Sequence, residues 1–244
     1  MAISNSVHQF DDYAGSYEKW TRLPLRSYAW RETVLRNLPD LRNKKVLDLA
    51  CGTGTSAELL FEKGARAITG IDSSAEQLKI FNSKFPDAVA ICADLSSFDL
   101  AHLGNFDVIT AIYLFEYFPR ISDIDRIVIN IKAVMRKNSI FYGLTIDQLA
   151  VASETEYYGI QGSLPKKEGD SFVDNLPDGE SGIFCVGMYY WSITTLRQVF
   201  EDNGLAFEEL PVFVSEEGLE KYGKEYWDLF LQKPIYKIFR ARLK

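Results

Sequence analysis

The chain has 244 residues, 47% hydrophobic and 25% charged, the composition of an ordinary globular domain and not of a disordered chain. Its net charge of -7 opposes binding to phosphate backbones, which attract clustered Lys and Arg. The basic pairs Arg136-Lys137 and Lys166-Lys167 read as solvated surface, so nucleic acid is not expected as a partner.

Residues 1–43 read as mainly helical, with a break at Leu38-Pro39. They carry Asp11, Asp12 and Glu18 and no apolar core of signal-peptide length. The apolar run at 44–50 predicts a strand that closes at the glycine turn Cys51-Gly52-Thr53-Gly54, and helical spacing follows over 56–62. The pattern repeats with a strand at 66–71 ending on Asp72, a helix at 74–81, and a strand at 88–92 ending near Asp94. A strand at 106–112, a helix at 121–135 and a strand at 139–146 continue it. Such alternation predicts an α/β fold with a doubly wound, mostly parallel, seven-stranded sheet. A helix at 194–203 and strands at 207–214 and 235–243 break the rhythm, predicting a closing antiparallel hairpin with an amphipathic helix within 215–233 laid over it. The 147–190 segment reads as a long irregular insertion, rich in Gly, Pro, Ser and aromatics, of the kind that forms lids and pockets. One domain is expected, with 1–43 as a helical lid and 147–190 as part of a substrate pocket.

Three widely spaced cysteines, Cys51, Cys92 and Cys185, form no CxxC pair or Cys/His cluster, so no metal is expected and a reducing cytoplasm is. No run approaches the ~18 apolar residues that span a bilayer. The chain is expected to be cytoplasmic, free of membrane, and a monomer or homodimer.

A glycine loop between a parallel strand and a helix lets backbone approach a ligand and aims amides at it. Gly52 and Gly54 alone fit nucleotide binders of several kinds, including nicotinamide binders. What narrows the field is the whole string Val46-Leu47-Asp48-Leu49-Ala50-Cys51-Gly52-Thr53-Gly54. It resembles the first motif, D/E-x-G/A-x-G-x-G, of the class I S-adenosylmethionine-dependent methyltransferases. Downstream segments match in order: Gly70-Ile71-Asp72-Ser73-Ser74, Cys92-Ala93-Asp94-Leu95 and Phe106-Asp107-Val108-Ile109-Thr110-Ala111.

The resemblance implies S-adenosylmethionine as cofactor and assigns roles by position. Asp48, Ala50, Cys51, Gly52 and Gly54 form or hold the loop, and Asp72 accepts the ribose hydroxyls. Asp94 meets the adenine amino group beside the Leu95 backbone, and Ala111 ends the strand leading to the methyl donor. In isolation Asp72 also fits a helix cap and Asp94 a turn former. The family usually places a bulky apolar residue after the ribose acid. Ser73 stands there instead, with its backbone expected near the base and adenine packing left to Leu95 or Leu78.

The N-terminal string Phe10-Asp11-Asp12-Tyr13-Ala14-Gly15-Ser16-Tyr17 resembles an F/Y-D-x-x-A-x-x-Y element that small-molecule members lay over the donor. This implies that Tyr17 closes on the methionyl end, and a packing helix fits the same spacing. Arg26 suits the methionyl carboxylate through its guanidinium fork, or is ordinary surface. Tyr13, Tyr113 and Glu116 are the expected catalytic residues, with Tyr13, Tyr113 and Trp191 contacting substrate. The layout also resembles methyltransferases of toxoflavin biosynthesis, through short segments such as Trp191-Ser192 to Gly204-Leu205. This implies methylation of a heterocyclic or aromatic metabolite in secondary metabolism, on nitrogen or oxygen. A ring nitrogen needs little base, and His8 and His102 are the histidines on offer. The alternatives are a protein or RNA methyltransferase, opposed by the acidic charge and by Ala111-Ile112-Tyr113-Leu114 in place of N/D-P-P-Y/F, and a non-methylating S-adenosylmethionine-binding protein.

Overall fold

Val46, Leu47 and Leu49 are apolar on both faces, as a central parallel strand requires. β1 (Lys45–Leu49) pairs in parallel with β2 (Ala67–Asp72) on one side and β4 (Phe106–Ile112) on the other. The computed structural model describes residues 10, 11, 14–20, 22–151, 157, 158, 160–177 and 182–244.

β3 (Val89–Cys92) extends the sheet beyond β2, and β5 (Met135–Ile146) lies beyond β4. β10 (Tyr236–Leu243) runs antiparallel between β5 and β9 (Leu205–Leu210), giving the order β3-β2-β1-β4-β5-β10-β9. This is the doubly wound, mostly parallel seven-stranded sheet expected from the sequence, with its antiparallel C-terminal hairpin.

Helices cover both faces because each carries an apolar stripe. α3 (Thr55–Glu62) and α4 (Ala75–Lys84) join one apolar cluster with the 25–37 helical segment and α8 (Lys224–Gln232). α5 (Ile121–Ala133) and α6 (Ile193–Asp202) build the opposite one around Phe115, Phe141, Phe200 and Phe239.

Several boundaries differ from expectation for physical reasons. The 121–135 helix stops at Ala133 because Met135 already pairs with Phe106. A bulge then absorbs the polar residues that hid the strand's start, and Ser139 staples it by donating to the Phe106 carbonyl at 2.5 Å. β9 ends at Leu210, where Pro211 removes an amide donor. The helix expected within 215–233 is two, α7 (Glu216–Tyr222) and α8, separated at Gly223 by its φ of 78°. The 147–190 segment is not irregular throughout. It opens with a 3-10 turn (Gln148–Val151) and holds an antiparallel sheet of β6 (Gln161–Gly162), β7 (Ser171–Pro177) and β8 (Ile183–Tyr189). That sheet packs Phe172, Leu176, Phe184, Val186 and Met188 against Trp20 of α1 (Ala14–Trp20). Among the described residues no helix is long and apolar enough to cross a membrane.

Candidate functional site

The strand order reverses between β1 and β4, and ligands of open α/β sheets bind in the crevice at that point. The chain leaves β1 through three left-handed residues: Ala50 at φ 55°, Gly52 at 55° and Gly54 at 88°. Tyr113, just after β4, stands at φ 59°. Left-handed backbone is costly for Ala and Tyr, and such strain collects at functional sites. At Gly52 a Cβ would lie 2.5 Å from Gln77 Oε1, the movable end of a side chain, so the left-handed φ more than the space favours glycine.

Two carboxylates hold this loop. Asp72 accepts from the Gly52 amide on Oδ2 at 2.8 Å and from the Ser74 amide on Oδ1 at 2.9 Å. Burial raises its pKa above the ordinary carboxylate range, against the pull of these amides. Asp48 accepts from Ser56 Oγ at 2.6 Å and Thr110 Oγ1 at 2.7 Å, tying β1 to α3 and β4. Burial pushes its pKa up to about 6.

A cavity of about 380 Å³ opens beyond the loop, within the size range of small-ligand sites. Of the residues singled out in the sequence, Arg26, Ala50, Cys51, Gly52, Asp72, Ser73, Asp94, Leu95 and Tyr113 line it. Asp94 also caps its own turn, accepting from the Ser96 amide at 2.8 Å. Arg26 is 1% exposed, so the surface alternative fails. Its guanidinium carbon lies 3.9 Å from the Trp30 ring centre, 4.6 Å from Trp20 and 5.0 Å from Tyr113, and Nη1 donates to the Tyr113 hydroxyl at 2.6 Å. Stacked aromatic faces help hold a buried guanidinium.

Six expected residues lie outside this lining. Asp48 sits behind the loop and accepts from Ser56, which does line the cavity. Gly54 faces Phe85 and Phe81, which a Cβ would meet at 2.5 and 3.0 Å, so glycine there serves close packing as well as the left-handed turn. Leu78 and Ala111 belong to the two apolar clusters. Glu116 is turned away by the 3-10 turn Phe115–Tyr117, and its Oε1 accepts from Thr145 Oγ1 at 2.5 Å and the Ile146 amide at 2.9 Å. Trp191 is buried beside α6, its indole donating to the Phe118 carbonyl at 2.9 Å. It supports the wall from behind. Tyr13 and the side chain of Tyr17 lie outside the described residues.

Sequence reasoning missed Phe10, Trp30, Gln77, Tyr117 and Tyr189, all of which line the cavity. The turn that hides Glu116 presents Tyr117, edge-on to Phe10 with ring centres 5.4 Å apart. Asp11 latches the same N-terminal segment down, accepting from Ser74 Oγ at 2.5 Å. A smaller chamber of about 40 Å³ adjoins, sharing Phe10, Tyr113 and Tyr117, with Asp174 in its wall.

Residues 21–210 match the family model described as "Methyltransferase domain", which covers most of the chain. The chain belongs to the class I S-adenosylmethionine-dependent methyltransferases. A demethylmenaquinone methyltransferase of Thermotoga maritima is 28% identical to this methyltransferase over 219 residues, 88% of each chain. An uncharacterized Haemophilus influenzae protein is 34% identical over 125 residues, 46% of this chain and 48% of that one. The chain thus matches about half the length of that relative. A crystal structure of an S-adenosylmethionine-dependent methyltransferase from Mesorhizobium loti superposes with a TM-score of 0.62 at 16% identity, covering 91% of this chain and 99% of that one.

The residues present fit S-adenosylmethionine, the cofactor of this methyltransferase. Gly52 leaves open backbone at the cavity wall, and a Cβ there would crowd Gln77. Each Asp72 oxygen retains acceptor capacity beyond the amide it holds, and Arg26 brings a cation to the same cavity.

Proposed function

We propose that this methyltransferase acts on a small heterocyclic or aromatic metabolite, methylating a ring nitrogen or a hydroxyl, as a monomer or homodimer. The observation that carries this reading is the covering of the cavity. Phe10, Arg26 and Trp30 from the N-terminal segment and Gly187 and Tyr189 from the 147–190 segment close over the strand ends, leaving a walled space of small-molecule size. In this reading 1–43 is the lid and 147–190 the substrate-side wall of a single domain. The Thermotoga maritima relative, named for demethylmenaquinone, supports a small acceptor. The acidic net charge supports an acceptor other than nucleic acid, and the exposed thiols of Cys92 and Cys185 support a reducing cytoplasm.

Asp72 would take the ribose hydroxyls, Asp94 and Leu95 the adenine edge, the Gly52 backbone the chain between, and Arg26 the methionyl carboxylate. When bound, S-adenosylmethionine supplies a sulfonium methyl group open to in-line displacement. The chain's task is to position and cover: holding two reactants as an aligned pair contributes on the order of 7 to 11 kcal/mol, and the aromatic cover excludes water. His102 packs edge-on against Phe98 at 5.0 Å, within the 3-10 turn Ala101–Leu103 that precedes β4, at the opposite edge of the sheet from the C-terminal strand ends where ligands bind. The scarcity of histidine bases favours an acceptor that needs little deprotonation, a ring nitrogen first. The test is a screen of heterocycles and phenols with isotope-labelled cofactor, read by mass spectrometry. A gain of one methyl on a small molecule is expected. Label found on protein or RNA, with none on any small molecule, would overturn the reading.

A further inference from the structure

The inner chamber holds a carboxyl group that the roles above leave unused. β7 and β8 alternate, and their buried face carries Phe172, Leu176, Phe184, Val186 and Met188 together with Asp174. One ionisable group on such a face is anomalous, because an aspartate without a partner is costly to bury. Asp174 is 4% exposed and lines the chamber beside Tyr113, Tyr117, Ile146 and Ile160. Its Oδ2 accepts from Gln148 Nε2, in the turn directly after β5. Its Oδ1 accepts no hydrogen bond among the described residues.

A purely structural tether between β7 and this turn would not need the second oxygen. An amide at 174 would accept the same Gln148 hydrogen bond without the cost of burying a charge, a cost visible in the rise of the Asp174 pKa to about 7. What aspartate adds is a strong acceptor at the wall of a chamber whose other sides are largely apolar or phenolic. We propose that the inner chamber is the anchoring subsite for the methyl acceptor, and that Asp174 selects a small, uncharged, largely apolar molecule presenting an N–H or O–H donor. The inference rests on the small-molecule reading above and adds to it the chemistry of the acceptor. The chamber's volume of about 40 Å³ exceeds the room a single water needs but suits an edge or substituent of the acceptor, with the remainder in the outer cavity where the methyl group is delivered. Gln148 is a positioning residue: it fixes Oδ2 and thereby the direction of Oδ1. Anionic acceptors are disfavoured, since a second negative charge would face the Asp174 carboxylate with little water to screen it.

The test uses matched fragments that differ by one methyl on the donor: phenol and anisole, indole and 1-methylindole. Each is titrated into the full chain saturated with S-adenosylhomocysteine at about pH 8, above the range in which Asp174 titrates, and followed by ligand-observed NMR. In the wild type the donor-bearing member of at least one pair binds about tenfold or more tightly than its methylated partner, as a hydrogen bond to a charged acceptor provides. Asp174→Leu and Asp174→Asn both collapse that ratio to near unity, the second because its single oxygen is taken by Gln148 and its amide donor faces the chamber, and both keep wild-type affinity for S-adenosylhomocysteine. That last measurement also shows that the variants fold. No discrimination by the wild type in either pair, or discrimination that survives Asp174→Leu, overturns the proposal. If S-adenosylhomocysteine itself fails to bind the wild type, the cofactor assignments fail instead, a result distinguishable from the first two.

Discussion

Replacing Asp48 with asparagine should stabilise the protein, and the gain should depend on pH in a defined direction. Asp48 is fully buried, and its two hydrogen bonds come from hydroxyls, Ser56 and Thr110, not from cations. Its carboxyl is raised from 3.8 to about 6, with desolvation the largest cause. The folded chain therefore holds a proton that the unfolded chain releases between about pH 4 and 6, and stability falls as pH rises through that window. The difference is about two pH units at 1.36 kcal/mol each, roughly 3 kcal/mol lost by pH 7. Asparagine has the same shape and no charge. Its oxygen can accept from one hydroxyl while its amide donates to the other, since Thr110 Oγ1 can turn its own proton to the Leu47 carbonyl at 3.3 Å. Guanidinium unfolding of both proteins at about pH 4 and pH 7.5 isolates the effect. Near pH 4 the two should agree within about 1 kcal/mol, and near pH 7.5 the variant should lead by up to about 3 kcal/mol, or about 6 to 12 °C in Tm for a chain of this size. A variant less stable than the wild type by the same amount at both pH values would refute the reasoning, showing that its hydrogen-bond geometry and not its charge governs the site.

Asp72→Ala removes an acceptor serving two amides and, in the proposed site, the ribose. S-adenosylhomocysteine affinity by calorimetry should drop about 100-fold or more, two charged hydrogen bonds being lost, while circular dichroism still reports a folded sheet. Gly52→Ala places a methyl 2.5 Å from Gln77 Oε1 at a φ of 55°, so it should cost about 1 to 2 kcal/mol and weaken the same binding. Gly15→Ala, whose Cβ meets nothing within 4 Å, should leave binding alone and raise stability by about 0.5 kcal/mol at most, since it stands in the first turn of α1 and not in a helix interior. Gly143→Ala drives a Cβ to 2.3 Å from the Phe239 ring of the neighbouring strand. Overpacking of this kind costs about 1 to 3 kcal/mol and should appear as a lower Tm with cofactor affinity retained.

The parts of the site that were legible in the sequence are those dictated by backbone. The loop 50–54 announces itself because a tight strand-to-helix turn needs glycine, and Asp72 and Asp94 follow strands whose apolar runs fix where they end. Side chains placed by irregular turns were not legible. Glu116 and Tyr117 are adjacent, and only the 3-10 geometry decides that the tyrosine faces the cavity while the glutamate faces β5. Arg26 read more readily as surface than as site because its burial depends on Trp20, Trp30 and Tyr113, which come together only in the fold. Asp174 was hidden differently. Its alternation with Phe172 and Leu176 is a strand signal, but Pro165, Gly169 and Pro177 around it gave the segment the look of a loop.

The position of β10 also bears on how the molecule is assembled. β5 is the longest strand of the large sheet, running Met135–Ile146, and it acquires its second neighbour only when β10 arrives from about a hundred residues downstream. Until then Phe141, Tyr142 and Leu144 stand on an open, apolar edge of the kind that recruits strands from other molecules. The β9–β10 pair closes a shorter loop than the β5–β10 pair, so its docking is the event that seals the edge. Substitutions that weaken that pair should therefore show themselves first as aggregation during refolding, before any loss of cofactor binding by the molecules that do fold.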